Sequence, residues 1–281
     1  YTVKGTRAAY DNEDTGVYFT FDYSERDAET PAGEPHYPVA LNINYFRPSF
    51  FIREAEPEVT AFARAFDCAV ADPQAEGLSG DYDAATLVNG WDSGNESAYS
   101  AVLHINPDQP IQSLPAATLA RIWAWNRQRK ALRERFGDRV FVSQLMILMV
   151  GDRLTPVAIW PDGVPIVVPP VGYFLAVRDA LAPRRWLRKE TRPALADRRA
   201  VAALFARYRD PRHPDVHALR YDTVPDDVAR FVRKLPAIEA ERQQTLALVG
   251  RDGIRKAECA GSSEADAATV AAFTAQLDFL P

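Results

Sequence analysis

The chain has 281 residues, of which 47% are hydrophobic, 25% charged and 11% aromatic. These values exclude global disorder, and a chain this long buries about three quarters of its unfolded surface without needing disulfides or a metal. The formal net charge of −5 is unevenly spread: residues 1–110 carry 19 acids and 6 bases (net −13), residues 111–234 carry 23 bases and 12 acids (net +11), and residues 235–281 have a net of −3.

The first predicted elements are strands. In "GVYFTFDYS" (16–24), Val17, Phe19, Phe21 and Tyr23 alternate with Thr20, Asp22 and Ser24. "PVALNINYF" (38–46) repeats the pattern with Val39, Leu41, Ile43 and Tyr45. Period-two alternation marks half-buried strands of an antiparallel sheet. A Gly- and Pro-bearing stretch between them reads as a loop. A strand–helix–strand unit follows: "SFFIR" as strand, "EPEVTAFARAF" as helix and "CAVAD" as strand. Pro57 is expected in the first helical turn, and Glu54, Glu56 and Glu58 suit its positive dipole end rather than forming catalytic carboxylate pairs.

A helix is expected from about Ala84 to Leu103 despite Gly90 and Gly94, and a stronger one from about Leu114 to Phe136. The latter starts at Ser113 and Pro115 and ends at Gly137. Four strands should come next, in "VFVSQLMILMV", "TPVAIW", "VPIVV" and "GYFLAVR", with a turn at "PDG" (161–163). "PALADRRAVAALFARY" (193–208) reads as helix, "VHALRYD" as a short strand and "PDDVARFVRKL" as a further helix. A hairpin around "RDG" (251–253) and a last helix from about Ser263 complete the expected order. The fold class is therefore α+β, with mainly antiparallel sheets flanked by helices. A boundary near Pro107 to Ser113 divides an acidic subdomain, 1–110, from a mixed subdomain, 111–281, with a basic centre. A single domain whose sheet crosses that point is the alternative.

Chemistry-bearing motifs are sparse. No G-x-S-x-G elbow, Walker loop, dinucleotide fingerprint or H-E-x-x-H occurs. Cys68 and Cys259 lie far apart in unrelated contexts, so there is no zinc or redox signature, and a reducing cytoplasm is the simplest location. The longest apolar runs, such as "QLMILMV" (144–150), are too short to span a bilayer. No signal peptide is visible, and a start at Tyr1 rather than methionine is compatible with a removed leader. "RDPRHPDVH" (209–217) places His213 and His217 four apart, but Pro211 and Pro214 deny them a shared helical face. A proline-stiffened loop is the expectation there, with no metal and no cofactor. Asp108 with Gln128 and Lys130 matches a nuclease spacing only superficially, because the latter two fall inside a helix.

Two polar clusters remain as binding candidates. "GWDSGN" (90–95) interrupts a helix with two glycines and offers Trp91, Asp92 and Asn95 to a ligand or partner, with close backbone packing as the plainer explanation. "IWPDGVP" (159–165) offers Trp160 and Asp162 on a turn. Basic and aromatic residues interleave in "RIWAWNRQRKALRER" and from Arg184 to Lys234, where 14 bases meet 7 acids and "RRWLRK" carries a tryptophan. Such interleaving suits nucleic acid, and equally a solvated face around buried aromatics. Three functions follow as expectations. The first is a non-catalytic bacterial protein-binding protein whose acidic part engages a basic protein, as an immunity protein neutralises a toxin. The second is a nucleic-acid-associated protein using 121–135 and 184–234. The third is an enzyme whose residues converge only in three dimensions.

Overall fold

The computed structural model describes residues 1–26, 36–72, 78–109, 111–150, 153–185, 188–238 and 251–252. These contain five helices and mainly antiparallel sheets, an α+β fold. The chain divides into two compact units, Tyr1–Leu119 with Val249–Pro281, and Ala120–Leu248.

In the first unit β1 (Thr2–Lys4), β2 (Arg7–Asn12), β3 (Val17–Tyr23) and β4 (Val39–Asn42) form an antiparallel meander in that order. The alternation read from β3 holds for Val17, Phe19 and Phe21, which are buried while Tyr18 is exposed, but Tyr23, expected on their face, is exposed at the strand's end. The buried side packs on α1 (Phe50–Phe66) through Phe51, Ile52, Ala55 and Val59, with Trp91 in the same cluster.

"SFFIR" is thus helical and not a strand. Pro48 accepts from Phe51 N, Ser49 holds the cap position, and the apolar residues continue at helical spacing into Ala55 and Val59. Pro57 accordingly lies inside α1 rather than in its first turn. A distant carboxylate supports the start of α1: Asp252 accepts from Ser49 N at 3.1 Å and from Ser49 Oγ. Beyond α1, β5 (Ala69–Asp72) and β6 (Leu78–Asp81) pair antiparallel, and α2 (Ala84–Ile105) begins at Asp83, whose carboxylate accepts from Thr86 N at 2.7 Å. β7 (Ser113–Leu114) precedes α3 (Ala116–Phe136), which passes from the first unit into the second.

The second unit is built on a mixed sheet of β8 (Leu145–Val150), β9 (Arg153–Pro161), β10 (Tyr173–Val177) and β13 (Ala194–Asp197), ordered β13-β10-β9-β8. Only the β9–β10 pair in it is parallel. Its other elements are a ribbon of β11 (Arg184–Arg185) and β12 (Arg188–Lys189), α4 (Arg198–Arg207) and α5 (Asp226–Lys234).

Three expectations change here. "PALAD" is the strand β13, because its backbone pairs antiparallel with β10 and Asp197 caps α4 by accepting from Arg199 N at 2.6 Å. "VPIVV" and "VHALRYD" form no ladder and meet each other through single bridges at Val167–Ala218. Of the "RDG" hairpin, Arg251 and Asp252 form β14, which pairs in parallel with β7, while Gly253 and the last expected helix lie outside the described residues.

Among the described residues, Glu54 in the first unit and Arg178 in the second are charged side chains buried in the protein. Glu54 is 5% exposed, and its Oε1 accepts from Tyr10 Oη at 2.9 Å, Asn12 Nδ2 at 2.6 Å and Thr15 Oγ1 at 2.9 Å. It fastens the β2–β3 hairpin to α1. Arg178 is 1% exposed and donates to the carbonyls of Arg192 and Leu235 at 2.8 Å each, which ties β10 to the segments before β13 and after α5. Burial lowers the Arg178 guanidinium below its ordinary pKa, with Glu190 opposing that shift.

Removing the Glu54 carboxylate strands three donors. Glu54→Ala should therefore cost about 2–4 kcal/mol in urea unfolding, and Tyr10→Phe only about 1 kcal/mol. Equal losses from the two changes would refute the convergent arrangement.

Candidate functional site

The "GWDSGN" segment runs through the middle of an uninterrupted α2. Gly94 is explained by packing: a methyl group there would overlap the Tyr45 hydroxyl. Gly90 has only an ordinary contact with Asp72, 3.6 Å from where a Cβ would lie. Asn95 is buried, accepts from Phe46 N at 2.7 Å and donates to Arg47 O at 3.0 Å. That two-point grip holds Phe46 in a left-handed conformation, φ 60°, which a bulky side chain rarely adopts. Trp91 is buried in the first unit's core, and its indole N–H meets no acceptor among the described residues. Asp92 reaches solvent; the protein packed beside it raises its carboxyl pKa, Arg53 opposes that and Asp252 adds to it. So α2 brings Trp91 and Asn95 to the β4–α1 connection and leaves Asp92 outside.

Trp160 and Asp162 belong to the second unit and the trio to the first. Trp160 is fully buried, its Nε1 donating to Val164 O at 2.9 Å and its ring edge-on to Phe205 at 5.1 Å. Asp162 and Gly163 have φ of 44° and 67°, the left-handed pair of a tight turn closed by Val164 N to Pro161 O at 2.9 Å. The Asp162 carboxylate accepts from three successive amides, Asp179 N at 2.9 Å, Ala180 N at 3.1 Å and Leu181 N at 2.9 Å. Successive N–H groups of this kind make a concavity for an anion. Here the chain's own carboxylate fills it.

The "RDPRHPDVH" loop sends its histidines apart. Arg135, at the end of α3, grips Asp215 bidentately at 2.7 and 2.8 Å and donates to His213 Nδ1 at 3.1 Å, so that nitrogen is the unprotonated one. Arg135 also holds the Asp215 carboxyl down at about 2. His217 instead donates from Nε2 to Phe205 O at 3.3 Å. Asp210 is buried beneath the Arg212 guanidinium, which lies 2.6 Å away and holds its pKa well below the carboxylate range. Among the described residues no three His, Cys, Asp or Glu side chains converge as a metal site.

On α3, Trp125 donates to Ser143 O at 2.8 Å, and Asn126 bonds both the N and O of Leu145, at 2.9 and 3.1 Å, at the start of β8. Trp123 is half-buried with Arg127 over its ring, 4.9 Å from the centroid, and Lys130 is exposed. Gln128 and Lys130 are thus helical, as their place in the sequence implied. Sequence reading missed two features: the register of the "RRWLRK" ribbon and the reach of Asp252 to Ser49. Nothing in the local sequence announced either. No helix among the described residues is long and apolar enough to cross a membrane.

Comparison with protein-family models, with curated proteins and with solved structures finds no match to this chain.

Two predictions follow from this geometry. Gly90→Ala should stabilise α2 by up to about 1 kcal/mol, whereas Gly94→Ala should lower the melting temperature by displacing Tyr45. Similar shifts from both would show that the Tyr45 contact is not what requires glycine. The second concerns His217, whose pKa is lowered by burial first and by Arg209 and Arg198 next, against a rise from Phe205 O. The unfolded chain takes up this proton near pH 6.5, before the folded chain does. Stability should therefore be level above about pH 7.5 and fall as pH drops through 6.5 towards the folded pKa. His217→Gln should flatten that decline in melting temperature between pH 7.5 and 5.5. The carboxylates held low by Arg135, Arg192 and Arg212 act only in the acid range below this window.

Proposed function

We propose that this chain is a non-catalytic protein-binding protein whose acidic first unit engages a basic protein, of the kind a toxin-neutralising immunity protein would engage. The observation that carries this reading is the confinement of charge. All 19 acids and 6 bases of residues 1–110 fall within Tyr1–Leu119, one compact unit with a net of −13 over that span. Several of these acids are tied to their own chain, Asp22 to Arg7 at 2.5 Å and Glu54 to its three donors among them. Asp11 and Glu13 at the β2–β3 hairpin and Glu25 beyond β3 are exposed to solvent. A concentrated negative field raises the encounter rate with a positive partner and disfavours acidic ones. Occlusion of the partner by docking requires no catalytic group. Asp92, exposed on α2, adds to the acidic charge of this unit. A cytoplasmic location is part of this proposal.

The test is a tagged pull-down from host lysate with nuclease treatment, followed by association kinetics with the captured protein. The expected outcome is one stoichiometric, nuclease-resistant basic protein. Its association rate should fall about tenfold at low salt for Asp11→Lys/Glu13→Lys/Glu25→Lys, and far less at high salt. An unchanged rate, or an eluate without protein, would overturn the proposal.

A further inference from the structure

The mixed sheet of the second unit ends at β8, which pairs with β9 on one side and, among the described residues, with no strand on the other. Its six residues, Leu145–Val150, are all apolar, and four of them are only half-buried. Natural sheets protect such edges with lysine, proline, a bulge or brevity, because an open row of N–H and C=O groups templates another strand. Elsewhere in this chain that protection is visible: β1 is three residues long and ends in Lys4, and at β13 Ala194 is bridged to Ala237. β8 has no charge, no proline and an unbroken register with β9, and it is the longest edge strand among the described residues.

Two observations fix which backbone groups of β8 point outward. Leu145 donates its N–H to Asn126 Oδ1 at 2.9 Å and its carbonyl accepts from Asn126 Nδ2 at 3.1 Å, so its backbone faces away from β9. Ile147 stands opposite Pro156, which has no N–H to offer, so this pair exchanges no hydrogen bonds. The alternation of an antiparallel ladder then turns Leu145, Ile147 and Met149 outward, and Met146, Leu148 and Val150 toward β9. Asn126 occupies the first outward rung. No strand among the described residues takes the rungs at Ile147 and Met149.

We infer that β8 is the interface of a two-fold dimer, in which it pairs antiparallel with the β8 of a second copy. Asn126 leaves the stretch Met146–Val150 open, and Leu148 is its centre. A two-fold axis at Leu148 sets Ile147 against the partner subunit's Met149 and Met146 against the partner subunit's Val150. The Ile147–Met149 pairs then exchange both of their N–H···O bonds on each side of the axis. Reversing the open stretch onto itself leaves no rung unmatched, so a second copy is the occupant whose length and polarity the edge itself specifies. Every opposed pair is apolar, and no like charges meet across the axis. Such a patch is isologous, as a closed dimer requires, and it joins two four-stranded sheets into one continuous sheet.

The test is sedimentation velocity on the full chain at physiological salt, from about 1 to about 100 μM, with residue-resolved amide hydrogen exchange at both extremes. A reversible monomer–dimer equilibrium should appear. The Ile147 and Met149 amides should exchange at least about tenfold more slowly in the dimer, whereas Met146 and Leu148, bonded to β9, should be protected at both concentrations. Met149→Lys sets two cations near the axis and should weaken dimerisation at least about tenfold. Ile147→Pro removes an outward N–H that β9 does not use, and should weaken it likewise. The exchange pattern needs no variant, so it decides the matter even where a substitution unfolds the chain. A monomer at about 100 μM overturns the inference, whether its edge is open or taken by an extended peptide of another protein. So does a dimer in which the Ile147 and Met149 amides exchange as fast as in the monomer. A dimer that survives Met149→Lys yet dissociates in about 0.5 M salt also overturns it, since that is pairing of oppositely charged units. None of these results bears on the acidic first unit, whose proposal stands or falls on the captured protein.

Discussion

The Glu54 carboxylate is the constraint on which the first unit depends. An ionisable group out of water must be surrounded by donors, and the sequence supplies them from one hairpin: Tyr10, Asn12 and Thr15. Because those residues flank the β2–β3 turn while Glu54 lies in α1, the same contact fixes the height of the helix over the sheet. Hydrophobic burial of Phe19, Phe51 and Ile52 provides the larger free energy, yet it is non-directional and would tolerate a slid helix. The convergent hydrogen bonds would not. Arg178 serves the second unit in the same way with the sign reversed. Its donors gather carbonyls from two segments that an isolated antiparallel bridge, Ala194 to Ala237, also joins.

This use of buried charge bears on how the candidate clusters should be read. Asp162 has the composition of a displayed acid on a turn, and in the fold it neutralises a nest of three amides. Asn95 resembles an exposed helical amide and instead holds a left-handed phenylalanine in place. In both, the polar side chain meets the needs of irregular backbone nearby. The outward charge of the molecule lies elsewhere, at the hairpin with Asp11 and Glu13 and along the basic second unit.

Much of the fold was legible wherever one periodicity acted alone. The alternation of Val17, Phe19 and Phe21 marked β3, and the capping residues around α3 placed its ends to within two residues. Failures came where short segments satisfy two patterns. "SFFIR" has the apolar density of a buried strand, and only its continuity with Ala55 and Val59 reveals helix. "PALAD" has helical composition, but the ladder with β10 decides it. The candidate clusters were legible as questions and not as answers. The demand for glycine at position 94 is set by Tyr45, far off in sequence, and the partners of Asp162 lie 17 to 19 residues downstream. Register was out of reach for the ribbon too, since a run of four cations fits a helix or a loop as readily as two opposed pairs.

Two units of opposite charge in one chain impose a condition on any partner. The acidic unit of one copy is a ligand of suitable sign for the basic unit of another, and at low ionic strength that attraction competes with every external one. At physiological salt the screening length is about 8 Å, so such long-range attraction fades unless surfaces come into close contact. Charge alone therefore gives neither unit a preferred partner. Selectivity must come from short-range fit, which in the acidic unit is set by the shape of the surface around the exposed Asp11, Glu13 and Glu25.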